Sequence, residues 1–311
     1  SLEAGIIITA VFAISYTVLA GMFSVVYTDV VNGVLMTIGI LGALLFLIFR
    51  VGGLGEIAAV AESAGKWQLF GNWAAERTGD ISGPIIAISF FVPTMLLLMG
   101  DGNMYQRIFS ARDGGSAKKA VFFWIIGVIV LESAISMLGL TGAVATAKGL
   151  IPDLVADAQN TLVNPTEGAL LEARQAGSES VIPAIARFAG LPIILGMLLV
   201  STMMAIIVST ADSFLLIPAT NLTRDVYQRY IHPGADEKQV LLISRGLVLV
   251  LGIIAFLLVS QFKTVLNAAF TAYNIYGTSI TPALMAAFLW KRATAVGALA
   301  SIVTGTSVTL I

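Results

Sequence analysis

MMAIIVSTADSFLLIPATNLTRDVYQR, residues 203–229, continues an apolar run that begins near Leu191 and reads as the second half of a long membrane helix. Inside it lie Ser209, Thr210, Asp212 and Ser213, where hydrocarbon favours Leu or Val. Ser209 and Ser213 are four apart and Ser209 and Asp212 three apart, so on a helix they share one face. Ser and Thr in such helices also bond their own i−4 carbonyl or join two helices. The carboxylate tilts the reading, because a charge at membrane depth is costly and marks an ion or solute path. One carboxylate and three hydroxyls are hard oxygen ligands that suit a small cation such as Na⁺ rather than a transition metal.

Working outward, 58% of the 311 residues are hydrophobic and 11% charged, which places the chain among all-α polytopic proteins of the lipid bilayer. The net charge of −1 argues against nucleic acid as a partner. With no cysteine there is no disulfide and no Cys-ligated metal. The one histidine, His232, falls in the polar loop IHPGADEK and reads as solvated. Gly65-Lys66 lacks the earlier glycine of a phosphate-binding loop, so ATP-driven transport has no support.

Counted against the ~20 residues that cross a bilayer, the apolar stretches predict about eight spans. They cover residues 5–21, 26–49, 82–109, 117–147, 191–220, 239–260, 264–290 and 294–311, with a tight turn between the first two. Pro93 sits within the third span, Glu132 deep in the fourth, and Pro282 within the seventh. The fifth has a polar extension to Tyr230. Polar segments cover residues 50–80, with the amphipathic EIAAVAESAGKW, and 148–190, where VIPAIARFA reads as a short helix on the membrane surface. Arg107, Arg112, Lys118 and Lys119 crowd one short loop, and Arg224, Arg229, Lys238 and Arg245 flank another; these loops are expected in the cytoplasm.

VSTADS followed by TRDVYQRY resembles the core signature of the sodium/solute symporter family. GMFSVVYTDVVNG (residues 21–33) and NMYQRIFSARDGGSAKKA (residues 103–120) match two further motifs in the same order. The resemblance covers essentially the whole chain and implies a LeuT-type inverted-repeat helical bundle, multi-pass in the cell membrane. Its function would be sodium-coupled symport of a small organic solute by alternating access, without catalytic residues and with Na⁺ as coupling ion rather than a cofactor. The rival reading is the symporter-like sensor module of a signalling histidine kinase. Against the family pattern both ends look cut, so residues 1–311 are expected to be one symporter domain lacking the first helices.

The resemblance also assigns residues. Ser209 and Thr210 match the hydroxyls on the main sodium ion, and the Ile206 carbonyl matches their partner in the same helix. Asp29 lies where the family places the sodium exit path and, in some members, a ligand of a second sodium ion. Asp212 and Ser213 match that second site, although many members have a hydroxyl in place of Asp212. If Asp29 and Asp212 approach each other, two bare carboxylates repel, and a cation or a proton must lie between them. The third span should be the broken, solute-facing helix, with Thr94 and Leu97 where sugar-transporting relatives have Asn and Tyr, which counts against a sugar. Asn274 falls at a substrate contact of the family, in a polar-aromatic cluster with Tyr276. Asp101 reads as solvated, and Glu132 as the partner of a buried polar group or of a cationic solute.

Overall fold

The computed structural model describes residues 2–63, 83–162, 165–259, 261–262 and 264–310; among them the chain is helical, with no strand. The expectations for residues 64–82, including the end of the amphipathic stretch, lie outside the described residues. The chain packs as two units: Ser1–Arg50, Trp124–Asp153 and Ser180–Gln261 form the first, and Val51–Phe123, Leu154–Glu179 and Phe262–Ile311 the second.

In chain order the helices are α1 (Leu2–Val51), α2 (Leu54–Ser63), α3 (Gly83–Gly100), α4 (Gly102–Phe109), α5 (Gly114–Ala147), α6 (Leu154–Asn160), α7 (Glu167–Glu179), α8 (Val181–Phe188), α9 (Ile193–Asn221), α10 (Glu237–Val259), α11 (Val265–Ile275), α12 (Thr281–Leu289) and α13 (Ala295–Leu310). Two π-helical segments interrupt the series, Leu222–Ile231 after α9 and Tyr276–Ile280 between α11 and α12. Among the described residues, five stretches are long and apolar enough to cross a membrane: Tyr27–Val51, Ala87–Phe109, Gly114–Ala147, Ile193–Ile231 and Glu237–Val259. Gly5–Leu19 and Ala295–Thr309 are shorter apolar helices, so eight full spans are not confirmed among the described residues.

In the first unit, the expected turn between the first two spans is a helical bend. The backbone stays helical through residues 20–26, yet the Tyr16 hydroxyl donates to Thr28 Oγ1 at 2.9 Å. Twelve residues of straight helix would separate those Cα atoms by about 18 Å, beyond side-chain reach, so the axis bends sharply. The packing confirms it. Gly42 faces Leu195, Gly39 faces Thr202, and Asp29 meets Ser209, so residues 27–51 run antiparallel to α9. Gly252 faces Ile14 and Arg245 Nη2 donates to the Leu19 carbonyl at 3.4 Å, so residues 2–19 run antiparallel to α10. Thr202 Oγ1 donates to the Leu35 carbonyl at 3.0 Å; Gly39, four residues on, leaves room for that hydroxyl. Pro192 caps α9, and Pro218, which has no N–H to donate, precedes its π-helical extension. His232 lies exposed beyond that extension, as expected.

In the second unit, the third predicted span is indeed broken, but not at Pro93. α3 runs through the proline and stops at Gly100. Asp101 takes an extended conformation (φ −70°, ψ 106°) and its carboxylate accepts from the Asn103 N–H at 3.0 Å, capping α4. The two flanking glycines weaken helix there, and the Asp side chain replaces the lost backbone partner. Asp101 is therefore a half-buried cap rather than a solvated charge. Lys118 and Lys119 lie in the opening turns of α5, not in a loop. Asp113 closes that helix start, accepting from the Ser116 N–H at 2.8 Å and the Ser116 hydroxyl at 2.9 Å. Glu179, at the end of α7, accepts from the N–H groups of Val265 and Leu266 (3.2 and 2.9 Å) and so caps α11 with Thr264.

Candidate functional site

The polar patch of α9 sits where the bend of α1 brings two further oxygen-bearing residues against it. Ser209 donates to the Asp29 carboxylate at 2.6 Å. Asp212, one turn further along α9, is hydrogen-bonded to the Thr17 hydroxyl. Asp212 and Thr17 are each 1% exposed, Ser213 is buried, Asp29, Ser209 and Ile206 are half-buried, and Thr210 is exposed. The charges of Asp29 and Asp212 lie within electrostatic reach of each other. The hydroxyl bonded to Asp212 is neutral, and the charge that acts on it is the acidic one of Asp29.

The structure thus brings Asp29, Ser209 and Asp212 together, as the sequence suggested, with Ser213 buried beside them. It adds Thr17, which sequence reasoning missed. The signal was present in Tyr16-Thr17, a polar pair within an otherwise apolar run. Thr17 Oγ1 also lies 2.8 Å from the Ala13 carbonyl, so a hydroxyl with one proton faces two acceptors. Two carboxylates and several hydroxyls, with Asp212 and Thr17 almost fully buried, are hard oxygen donors that suit a hard cation. Among the described residues there is no cluster of three or more His, Cys, Asp or Glu side chains.

The four residues predicted to face the solute all belong to the second unit, and the structure gathers them incompletely. Thr94 and Leu97 are half-buried on α3, and the Thr94 hydroxyl donates to the Phe90 carbonyl of its own helix at 3.0 Å. Tyr276 is half-buried and opens the π-helical segment. Asn274 is exposed, and at about 100° per residue it points roughly 200° away from Tyr276. Glu132 lies exposed on α5 and joins neither group.

A helical protein with several helices long and apolar enough to cross a membrane, and with carboxylates bonded to hydroxyls on two of them, defines a multi-pass membrane protein. The chain belongs to the sodium:solute symporter family, whose model matches residues 1–305. The chain is 26% identical over 307 residues to the high-affinity proline transporter PutP of Bacillus subtilis, covering 98% of this chain and 58% of that protein. Identity is 24% to the sodium/glucose cotransporter of Vibrio parahaemolyticus (94% and 54% covered). It is 25% to the human high affinity choline transporter 1 (96% and 48%). The chain therefore spans about half the length of these relatives. A solved structure of a Na⁺-coupled sialic acid symporter, substrate-bound and outward-open, superposes with a TM-score of 0.65 at 16% identity, over all of this chain and 67% of that one. That likeness establishes the fold, a LeuT-type bundle.

Proposed function

We propose that this chain carries the ion-binding part of a secondary active symporter that couples inward Na⁺ movement to uptake of a small organic solute. The observation behind this reading is the pair of hydroxyl–carboxylate hydrogen bonds, Ser209 to Asp29 and Thr17 with Asp212, at the bend of α1. Ser209, Thr210 and the Ile206 carbonyl hold the main sodium ion. Asp29, Asp212 and Ser213 hold a second, which offsets the repulsion between the two carboxylates. Sodium binding favours one conformational state, and its release to the cytoplasm favours the other, by linkage rather than chemistry. The solute contacts α3 and the π-helical segment through Thr94, Leu97 and Tyr276, with Asn274 at the margin. Thr and Leu at positions 94 and 97 disfavour a sugar, and named relatives that carry proline or choline make nitrogen-containing solutes the first to test. Uptake of radiolabelled proline, choline and glucose into proteoliposomes of the whole protein, with and without an inward sodium gradient, tests this. Sodium-driven accumulation of one of the nitrogenous solutes is expected; uptake indifferent to sodium would overturn it.

A further inference from the structure

Among the described residues of the second unit, regular helix is interrupted at Asp101 and in the π-helical segment Tyr276–Ile280, and these two places are joined. Thr281 is 1% exposed and its Oγ1 donates to the Leu96 carbonyl, across to α3, at 2.7 Å. A Cβ added at Gly100, the last residue of α3, would collide with that same Thr281 hydroxyl. A Cβ at Gly277, inside the π-helical segment, would lie 3.1 Å from Leu96 Cβ. On its other side the segment is pressed by α13: a side chain at Gly305 would overlap the Thr278 carbonyl, and Thr278 Oγ1 bonds Thr309 Oγ1 at 2.8 Å.

Each interruption has a local cause. Pro282 cannot donate to the Thr278 carbonyl four residues back, so an α-helical bond is missing where the π segment sits. At the other break, side chains satisfy carbonyls that α3 leaves open: the Tyr105 hydroxyl donates to the Met99 carbonyl at 3.0 Å. The Thr281 hydroxyl bridges the two breaks, and the two glycines allow the approach.

We propose that Thr281 is a positioning residue that makes the break at Asp101 and the π-helical segment shift as one element. This rests on the reading that the second unit faces the solute, and it assigns the set of the Tyr276 backbone relative to α3 to a single hydrogen bond. A simple space-filling role for Thr281 would tolerate valine, which matches its shape; the proposed role does not.

The test is amide hydrogen exchange of the whole protein in lipid nanodiscs with Na⁺ alone, read over residues 96–104 and 274–282. Loss of one buried hydrogen bond is worth about a factor of ten in local opening. Thr281→Val is expected to speed exchange about tenfold in both stretches together, and Thr281→Ser to retain wild-type protection. Gly277→Ala, which presses on Leu96 instead, is expected to disturb residues 96–104 as well. Thr94→Val, which removes a hydroxyl bonded within its own helix, leaves residues 274–282 unchanged. A change confined to residues 274–282 in Thr281→Val, or equal damage from serine and valine, overturns the proposal. Because the readout needs no solute, failed sodium-driven uptake would count against the transport reading alone.

Discussion

Both units clamp a helix in the same way, with a threonine hydroxyl on a backbone carbonyl and a glycine four residues later that gives it room. In the first unit Thr202 holds the Leu35 carbonyl and Gly39 makes the room; in the second Thr281 holds the Leu96 carbonyl and Gly100 does so. The surroundings differ. Gly39 lies between helix-forming neighbours, and α1 runs on past it to Val51. Gly100 is followed by Asp101-Gly102, and the helix ends there. One clamp therefore braces an unbroken helix that carries Asp29, and the other joins two interruptions. Asp29 and Ser209 thus sit on continuous stretches of helix, whereas the second unit's clamp lies beside irregular backbone.

The largest effect that would break the comparison is expected at the first unit's carboxylates. Asp212→Asn removes a charge at nearly constant size and leaves an oxygen for Thr17. In reversal-potential measurements on the whole protein, coupling should fall from two sodium ions per solute to one. A wild type that already couples a single ion refutes the second sodium site. Ser209→Ala comes next. It removes a hydroxyl proposed to hold the main sodium ion, so the sodium concentration for half-maximal uptake should rise about tenfold, ~1.4 kcal/mol. Unchanged sodium dependence would sever Ser209 from the ion.

A paired substitution sharpens the contrast between the clamps. At an unpacked helix position Gly→Ala stabilises by up to ~1 kcal/mol, but both glycines face a threonine hydroxyl. Gly39→Ala is expected to destabilise by about 1–3 kcal/mol, because an unbroken helix cannot shift away from the overlap. Gly100→Ala should cost less, since the break beside it lets the chain move. Thermal unfolding of the two variants in detergent checks this, and equal losses would show that the clamps are equivalent. The smallest effect lies outside both. Hydrogen bonds from the Ser116 N–H and then its hydroxyl hold the Asp113 carboxyl below its ordinary value of 3.8. A depressed folded-state value means that the capping contribution is present above the ordinary value and is lost as the pH falls through the lower one. Asp113→Ala should therefore weaken amide protection at Ser116 near neutral pH, and the difference from wild type should vanish in strong acid.

How far the sequence reaches differs by residue. Glu132 illustrates one limit: its depth in a span was plain, but a linear pattern does not say which face of a helix is covered, and the residue is exposed. Pro93 illustrates another. Its ring invites a break, yet α3 passes through it, because a helix can absorb one missing hydrogen bond where two glycines around a capping Asp cannot sustain the turn.

By itself the sequence determined the membrane class, five of the eight predicted spans and the polar face of α9, since these follow from hydropathy, span length and the 3.6-residue period, all local properties of the chain. Its motifs also pointed to the family and to Asp29. Only the tertiary structure decided that Thr17 meets Asp212, that the chain reverses through a helical bend, and that Thr281 ties two interruptions together. Each of those joins residues far apart in the chain: 195 positions for Thr17 and Asp212, and 185 for Thr281 and Leu96. Such pairings depend on which helices pack and in what register, and a single sequence does not carry that information in any local pattern.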